Sequence, residues 1–174
     1  MGPNPTPRIS DTPINASVED SAAHAPELPL ARLVSEIYES SPEVVRSTLL
    51  SQLVAKVYEV AAPHERIRML EQLMMPLGVL SLVAVANGIF ARIRFRSGWP
   101  EMQVRFEDAQ NVQVSDVVAL VNHVQQVSVQ AIDGLAQLIA PSPVLAGSAA
   151  AAVLLKILLR RARTQRPMDN DLDP

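Results

Sequence analysis

Apolar positions in the N-terminal half of the chain recur every three or four residues, the spacing of helices with one buried face. The first such stripe begins after Pro29. Ser41-Pro42-Glu43 then combines a capping side chain, a proline suited to the first turn and a carboxylate, which predicts a helix over 42–61. Pro63 begins a third helical segment, so the domain is predicted to open with helices.

An uncharged apolar run from Leu73 to Ala91 follows, and its interpretation decides the fold class. Within it, Asn87-Gly88 separates two apolar stretches, and this dipeptide is the strongest short-range signal for a hairpin turn. From Phe90 onward, apolar residues alternate with basic ones. As a strand, this stretch would present one basic face, formed by Arg92, Arg94 and Arg96.

A second alternating stretch predicts a third strand. Residues 97–100 resemble a turn, and Met102, Val104 and Phe106 alternate with polar residues after it. Together these patterns predict a short antiparallel β-meander at about 79–107. In this register Arg96 pairs with Glu101, but Arg92 faces Arg105, which is a repulsive pair, so the register stays open.

Two other interpretations of the central run remain open. Residues 77–86 would form a helix that stops at Asn87-Gly88, because both residue types commonly end helices. This interpretation leads to an all-α bundle. Alternatively, the run 73–91 would be a membrane segment, since about 20 apolar residues can cross a bilayer.

The first of two long C-terminal helices is predicted to follow a cap at Ser115 and to extend to Ala140. It carries an apolar stripe and a second stripe that is polar yet almost uncharged. The candidate residues of this second stripe are Asn122, Gln126, Gln130 and Gln137. Solvated helix faces usually carry Lys and Glu, so the stripe is interpreted either as a solvent-facing surface or as a face for a partner.

The second long helix is predicted over about 144–163, after a break at Pro141-Ser142-Pro143. It is uncharged up to Leu155, and its basic flank consists of Lys156, Arg160, Arg161, Arg163 and Arg166. An apolar helix followed by cations is typical of contact with anionic lipid. A buried helix with a basic last turn has the same pattern, so the run 144–159 stays open between core and membrane segment.

The chain of 174 residues is long enough for one domain, predicted over 29–163 between a proline-rich disordered tail at 1–28 and a disordered tail at 164–174. Its formal net charge of −3 argues against a nucleic-acid binder driven by bulk electrostatics. The sequence has no cysteine, which excludes disulfides and thiolate chemistry and fits a reducing compartment.

Candidate chemistry is sparse. His24, His64 and His123 lack the spacing of a metal site, so neither a metal nor another cofactor is expected. The sequence contains no glycine-rich phosphate loop and no hydrolase nucleophile elbow. The predicted basic sheet face is interpreted as a site for an anionic lipid, a phosphate or an acidic partner, or as a solvated surface. Its residues are Arg92, Arg94, Arg96 and Arg105.

These patterns predict an α+β domain in which N-terminal helices and two long C-terminal helices cover a short meander, with an all-α bundle as the alternative. The expected function is non-catalytic interaction or assembly at a membrane or lipid surface, through apolar helices and the basic C-terminal flank. The alternative is a soluble adaptor or homo-oligomer, and an enzyme is the least favoured class. A protein partner or self-association is expected, nucleic acid is not, and the expected location is cytoplasmic, either free or on the cytoplasmic face of a membrane.

Overall fold

Every regular element that the structure describes is a helix. The structure is a computed structural model that describes residue 2 and residues 27–97 and 102–165. Its helices are α1 (Glu27–Ser40), α2 (Glu43–Val60), α3 (Pro63–Met74), α4 (Val79–Val83), α5 (Ile89–Ser97), α6 (Phe106–Asn111), α7 (Val114–Val127), α8 (Val129–Asp133), α9 (Leu135–Ile139), α10 (Pro143–Ala146) and α11 (Ala149–Thr164). The predicted α+β class is therefore wrong, and these residues match the all-α alternative. The tail predictions concern residues that lie mostly outside the described ranges.

The core is organised around α2, which packs against both α7 and α11. Helix α11 also packs against α1, and α3 packs against α6 and α9. The apolar residues have helical spacing as predicted, but the face of α2 that packs inward carries Leu50 and Val54, whereas Val45 and Val60 of the predicted stripe are exposed. Fully buried side chains of α2, α7 and α11 include Leu50, Val54, Leu120, Val124 and Leu154. Burying an aliphatic side chain of this size contributes about 1.5–3 kcal/mol, so these contacts dominate the stability of the fold.

The β-hairpin predicted at Asn87-Gly88 does not form, because the turn at this dipeptide joins two short helices. Backbone φ angles are +47° at Ala86, +54° at Asn87 and +75° at Gly88. The positive values at Asn87 and Gly88 are those that the dipeptide predicts. A 3-10 turn at Ala86–Gly88 reverses the chain between α4 and α5, which pack against each other.

Phe95 shows why the alternating pattern did not produce a strand. Alternation places Phe95 with Ile93 on one buried face, whereas helical spacing places it with Arg92 on the outside. In the structure Ile93 is buried and Phe95 is 81% exposed, as a helix requires. A segment as short as α5 satisfies both periods at most positions, and packing of Phe90 and Ile93 against the core selects the helix.

The third predicted strand does not form: residues 102–105 have no regular secondary structure, and Phe106 begins α6. The Val104 amide donates to Glu71 Oε1 at 3.0 Å, and the Arg105 amide donates to Asp108 Oδ2 at 3.2 Å. Side chains thus satisfy backbone donors that a sheet would have paired. Arg96 pairs with Asp108, while its predicted partner Glu101 lies outside the described residues.

The first predicted C-terminal helix is divided into α7, α8 and α9. Ser128 is extended, with φ −152°, and separates α7 from α8. Gly134 separates α8 from α9 and lies against α3, where a Cβ atom would come within 2.3 Å of Gln72 Nε2. The second predicted helix is α11, which begins at a cap formed by the Ser148 hydroxyl and the Ala151 amide, 3.4 Å apart.

The two long apolar runs contribute to the core. Leu73, Met74 and Leu82 of the first run are fully buried, and so is Leu154 of the second. The first run is interrupted between α3 and α4, and the second between α10 and α11. Within residues 27–97 and 102–165, no helix combines the length and apolar character needed to cross a membrane.

Candidate functional site

Helices α4 and α5 expose large apolar side chains to solvent. Leu80 on α4 is 89% exposed, and Phe95 on α5 is similarly open. Met75, which follows α3, and Val83 on α4 are also exposed. The inner faces of the two helices bury Leu82 and Phe90, so the outer apolar side chains are not needed to close the core. Because α4 and α5 pack against each other, their large exposed apolar side chains form a candidate interaction surface.

Two arginines lie on the same face of α5 as Phe95. Arg92, Phe95 and Arg96 follow the i, i+3, i+4 spacing of one helix face, and all three are exposed. Arg96 pairs with Asp108, whereas Arg94 lies on the half-buried side of the helix. We call the exposed group Met75, Leu80, Val83, Arg92, Phe95 and Arg96 the apolar-cationic surface. From residue 72 to residue 100 the sequence contains no Asp or Glu, so the charge of this segment is positive.

The predicted basic sheet face does not form. Arg92 and Arg96 share one side of α5, Arg94 occupies another, and Arg105 is the exposed residue that precedes α6. A groove of about 300 Å³ beside α5 brings part of the predicted set together with residues of α6. It is lined by Ile89, Arg92, Ile93, Arg96, Asp108 and Asn111. The four arginines are therefore divided among different surfaces, whereas a strand would have placed Arg92, Arg94 and Arg96 on one face.

The basic C-terminal flank is partly engaged by carboxylates. Arg160 pairs with Glu39 of α1, and Arg161 faces Asp133 of α8. Lys156, Arg160 and Arg163 are exposed at successive turns of α11, whereas Arg161 points to the other side. Arg166 lies outside the described residues. Of the residues predicted to contact lipid, Lys156, Arg160 and Arg163 thus form one exposed cationic stripe. The opposite face of α11 packs in the core.

The predicted partner face is also divided, because α7 ends at Val127. Asn122 and Gln126 lie on α7, whereas Gln130 and Gln137 lie on α8 and α9. Gln130 accepts a hydrogen bond from Ser128 at 3.3 Å, and Gln137 is exposed. The structure therefore brings together only Asn122 and Gln126 of this set, within one polar groove.

This polar groove lies where the start of α2, the second half of α7 and the end of α11 meet. Its volume is about 870 Å³. We call it the Arg46–Arg161 groove; its lining residues include Tyr38, Glu43, Arg46, Asn122, Gln126 and Arg161. Sequence reasoning missed Arg46 as a site residue, because a single arginine on a helix gives no signal until distant helices pack beside it.

Polar side chains connect α2 and α7 at the base of the groove. The Ser51 hydroxyl is fully buried and donates to Asn122 Oδ1. Gln125 Nε2 donates to the Ser51 hydroxyl at 2.8 Å and to the Ser47 carbonyl at 3.0 Å. These contacts connect Asn122 and Gln125 of α7 to Ser51 of α2.

A smaller cavity, of about 180 Å³, contains His64, Glu65 and Ser142. The Ser142 hydroxyl donates to Glu65 and accepts from the Leu145 amide at 3.1 Å. Glu65 also accepts from the Ala62 amide at 2.9 Å. Serine and glutamate are therefore both occupied in capping helices α10 and α3, which is a structural role.

Metal chemistry is not indicated in the described ranges, where no group of three or more His, Asp or Glu residues is placed to hold an ion. Two surfaces instead combine cations with exposed or unpaired groups: the apolar-cationic surface and the Arg46–Arg161 groove. Comparison of the chain with protein-family models, with curated proteins and with solved structures found no match.

Proposed function

We propose that this chain is a non-catalytic interaction protein that docks on an anionic lipid surface through the apolar-cationic surface of α4 and α5. The observation that carries the proposal is the exposure of Leu80 on α4 and of Phe95 on α5, where Phe95 shares a helix face with Arg92. Interfacial segments combine apolar side chains, which enter the boundary between headgroups and acyl chains, with cations, which approach anionic headgroups.

Two forces of different range would hold the protein at the bilayer. Burying a side chain such as Leu80 or Phe95 contributes up to about 1.5–3 kcal/mol. An arginine near an anionic surface contributes about 1 kcal/mol, and this attraction fades within a Debye length. Binding is therefore expected to need both apolar side chains and anionic lipid, and to weaken as salt rises.

The basic C-terminal flank supports this proposal less well than α4 and α5 do. Helix α11 buries Leu154 and Leu158 in the core, so its apolar face is occupied. Its exposed cations, Lys156 and Arg163, lie beside Leu159, which is the large exposed apolar side chain of that helix. The flank is therefore not assigned to the docking surface.

The proposed location is the cytoplasmic face of a membrane, because anionic lipids are concentrated in that leaflet. Self-association is the competing function, since Leu80 and Phe95 could instead be buried against a second copy of the chain. The two functions differ in what they require: lipid docking needs vesicles, whereas self-association needs only protein concentration.

Flotation of the full chain with vesicles tests the proposal. Wild type should float with vesicles that contain phosphatidylserine and remain largely at the bottom with phosphatidylcholine alone. Leu80→Ser and Phe95→Ser should each lower partitioning about tenfold. Arg92→Gln should lower it about fivefold at low salt, with little effect at high salt.

Matched controls come from α11. Leu159→Ser removes a large exposed apolar side chain, and Arg163→Gln removes an exposed cation, so neither should change partitioning by more than about twofold if α4 and α5 make the contact. Wild type that stays at the bottom with both vesicle types would exclude lipid docking. A sedimentation coefficient that rises with protein concentration, and that Leu80→Ser abolishes, would favour self-association.

A further inference from the structure

We propose that the Arg46–Arg161 groove binds a phosphate monoester, that is, a ligand with a dianionic phosphate group and a polar body. This site is separate from the apolar-cationic surface and does not depend on lipid docking. The groove is formed by residues far apart in sequence, at the start of α2, along α7 and at the end of α11. Its volume of about 870 Å³ exceeds what an inorganic anion alone would fill.

Arg46 supplies the first reason to place an anion in the groove. Its Nε atom is buried, and no hydrogen-bond acceptor for it is present among the described residues. The described salt bridges likewise do not include Arg46. Buried donors are nearly always satisfied in folded proteins, so an unpartnered guanidinium N–H indicates an acceptor that binds from outside the chain.

Arg161 supplies a second guanidinium to the same groove. Its Nε atom lies 3.6 Å from Asp133 Oδ1, which is too long for a hydrogen bond. Because this contact is not a hydrogen bond, the Arg161 donors can still reach a ligand, and the Asp133 charge competes with that ligand for Arg161. Arginine suits this role because its planar fork can give two parallel bonds to one phosphate.

The N-terminus of α2 adds a third source of positive potential. Glu43 and Val44, its first residues, line the groove. The residue before them is Pro42, and in the described part of the chain no side chain caps the helix at this end. The first amides of a helix lack internal partners and favour an anion. Tetrahedral phosphate has enough oxygens to accept from both arginines and from these amides, whereas a carboxylate has two.

Uncharged side chains line the rest of the groove and would contact the body of the ligand. Asn122, Gln126 and Tyr38 offer amide and phenol groups there. Glu43 works against the ligand, because its carboxylate lies at the edge of the groove and repels an anion. Removing the Glu43 charge should therefore raise the affinity of the groove for phosphate.

The test is a titration of the full chain, followed by backbone and side-chain amide NMR shifts at constant ionic strength. The ligands are inorganic phosphate, glycerol 3-phosphate and, as the carboxylate comparison, acetate. Saturable shifts at Asn122 and Gln126, with phosphate compounds bound more tightly than acetate, are expected. Linear, non-saturating shifts with all three anions would overturn the proposal.

Variants assign the binding to the groove. Arg46→Gln and Arg161→Gln should each weaken phosphate binding about tenfold. Arg46→Lys should also weaken it, because the charge remains while the fork is lost. Arg163→Gln is the matched control, since Arg163 is an exposed residue of the same helix that does not line the groove. An equal loss in Arg163→Gln and Arg161→Gln would mean that net charge, and not the groove, attracts phosphate.

Gain-of-affinity variants keep the test decisive if an arginine variant unfolds. Glu43→Gln removes the repelling carboxylate, and Asp133→Asn releases Arg161, so both should tighten binding of glycerol 3-phosphate. Weaker binding in both would contradict the proposal. Leu80→Ser should leave phosphate binding unchanged, which separates this site from lipid docking.

The source of the phosphate is distinguished by vesicles that contain either phosphatidic acid or phosphatidylserine. A lipid headgroup ligand predicts that Arg46→Gln reduces flotation with phosphatidic acid more than with phosphatidylserine. A soluble ligand predicts equal flotation of wild type and Arg46→Gln with both vesicles, with the loss confined to glycerol 3-phosphate. Both results support the groove as the site and differ only in the ligand's origin.

Discussion

Arg161 and Asp133 face each other across 3.6 Å, from Nε to Oδ1, and this pair joins the end of α11 to the end of α8. Asp133 Oδ1 is buried and has no hydrogen-bond partner in the described ranges. Burial raises the pKa of the Asp133 carboxyl above its usual value, and the nearby Arg161 charge offsets only part of this effect. The ion pair therefore leaves a net penalty for holding Asp133 charged in the folded state.

The first prediction follows from this penalty. Because the folded-state pKa is raised, the folded chain binds the Asp133 proton more tightly than the unfolded chain does, and stability falls as pH rises through the interval between the two values. The penalty is fully present at neutral pH. Asp133→Asn should therefore raise Tm at pH 7, with a gain that shrinks as pH falls toward about 4.

Thermal melts of wild type and Asp133→Asn between pH 4 and pH 8 measure this gain. Glu107→Gln is the control, because Glu107 is exposed and its replacement should leave the pH dependence unchanged. A lower Tm for Asp133→Asn at pH 7 would show that attraction to Arg161 outweighs the cost of burial.

The second prediction concerns the turn between α4 and α5. Ala86 has φ +47°, a left-handed conformation that costs an L-residue about 1–2 kcal/mol. Ala86→Gly should relieve part of this strain and raise the free energy of unfolding by about 0.5 kcal/mol. Gly88→Ala should lower it by about 1 kcal/mol, because Gly88 has φ +75°.

Urea denaturation of the three proteins measures these changes. Gly78→Ala is the matched control: its φ is −77°, and a Cβ atom would meet open space among the described residues. If Gly78→Ala and Gly88→Ala destabilise equally, the left-handed turn is not the cause.

The third prediction concerns Tyr58. Its hydroxyl donates to the Ala109 carbonyl at 2.8 Å and ties α2 to α6. Tyr58→Phe should lower the free energy of unfolding by about 1–2 kcal/mol, because the buried carbonyl loses its donor. Burial also raises the pKa of Tyr58 to about 12, with Arg66 opposing part of the shift.

The raised pKa of Tyr58 determines the direction in which stability changes at alkaline pH. The unfolded chain loses the phenolic proton near pH 10, before the folded chain does, so stability falls as pH rises from about 10 to about 12. That fall should be smaller in Tyr58→Phe. Tyr38→Phe, on the half-buried face of α1, serves as the comparison, and equal alkaline sensitivity of all three proteins would exclude Tyr58 as its source.

The fourth prediction distinguishes core from surface along α11. Leu154 is fully buried, whereas Leu159 is 47% exposed. Leu154→Ala should cost about 2–5 kcal/mol of stability, and Leu159→Ala less than about 1 kcal/mol. Chemical denaturation without lipid measures both. A small effect of Leu154→Ala would instead support the interfacial interpretation of the run 144–159.

Local signals predicted much of this structure. The helix starts near Pro42 and Pro63 and the positive φ values at Asn87 and Gly88 follow from local residue types. The predicted caps were wrong: among the described residues Ser41 does not cap α2, and α7 begins at Val114, before Ser115. The fold class could not be predicted in the same way. Helix α5 is so short that the spacing of its apolar residues does not distinguish a helix from a strand unless the side that packs against the core is known. Phe90 and Phe95 are residues at which the two periods disagree.

The candidate site was less predictable than the fold. The exposure of Leu80 and Phe95 depends on which side of α4 and α5 packs inward, and the sequence carries both possibilities. Arg46 and Asn122 are far apart in the chain, and they share a groove only because α2 and α7 pack side by side. No local sequence pattern predicts that Arg46 and Asn122 lie close together, whereas the arginines of α11 are close together in the sequence itself.

The hydroxyl of Ser51 also favours one alignment of α2 against α7. Apolar stripes alone permit several alignments of two helices that differ by one turn. Ser51 donates to the Ser47 carbonyl of its own helix at 2.9 Å in any alignment, but only one alignment also places it against Asn122 and Gln125 of α7. The bonds between α2 and α7 therefore favour one helix register. The residues that line the groove come together in that register.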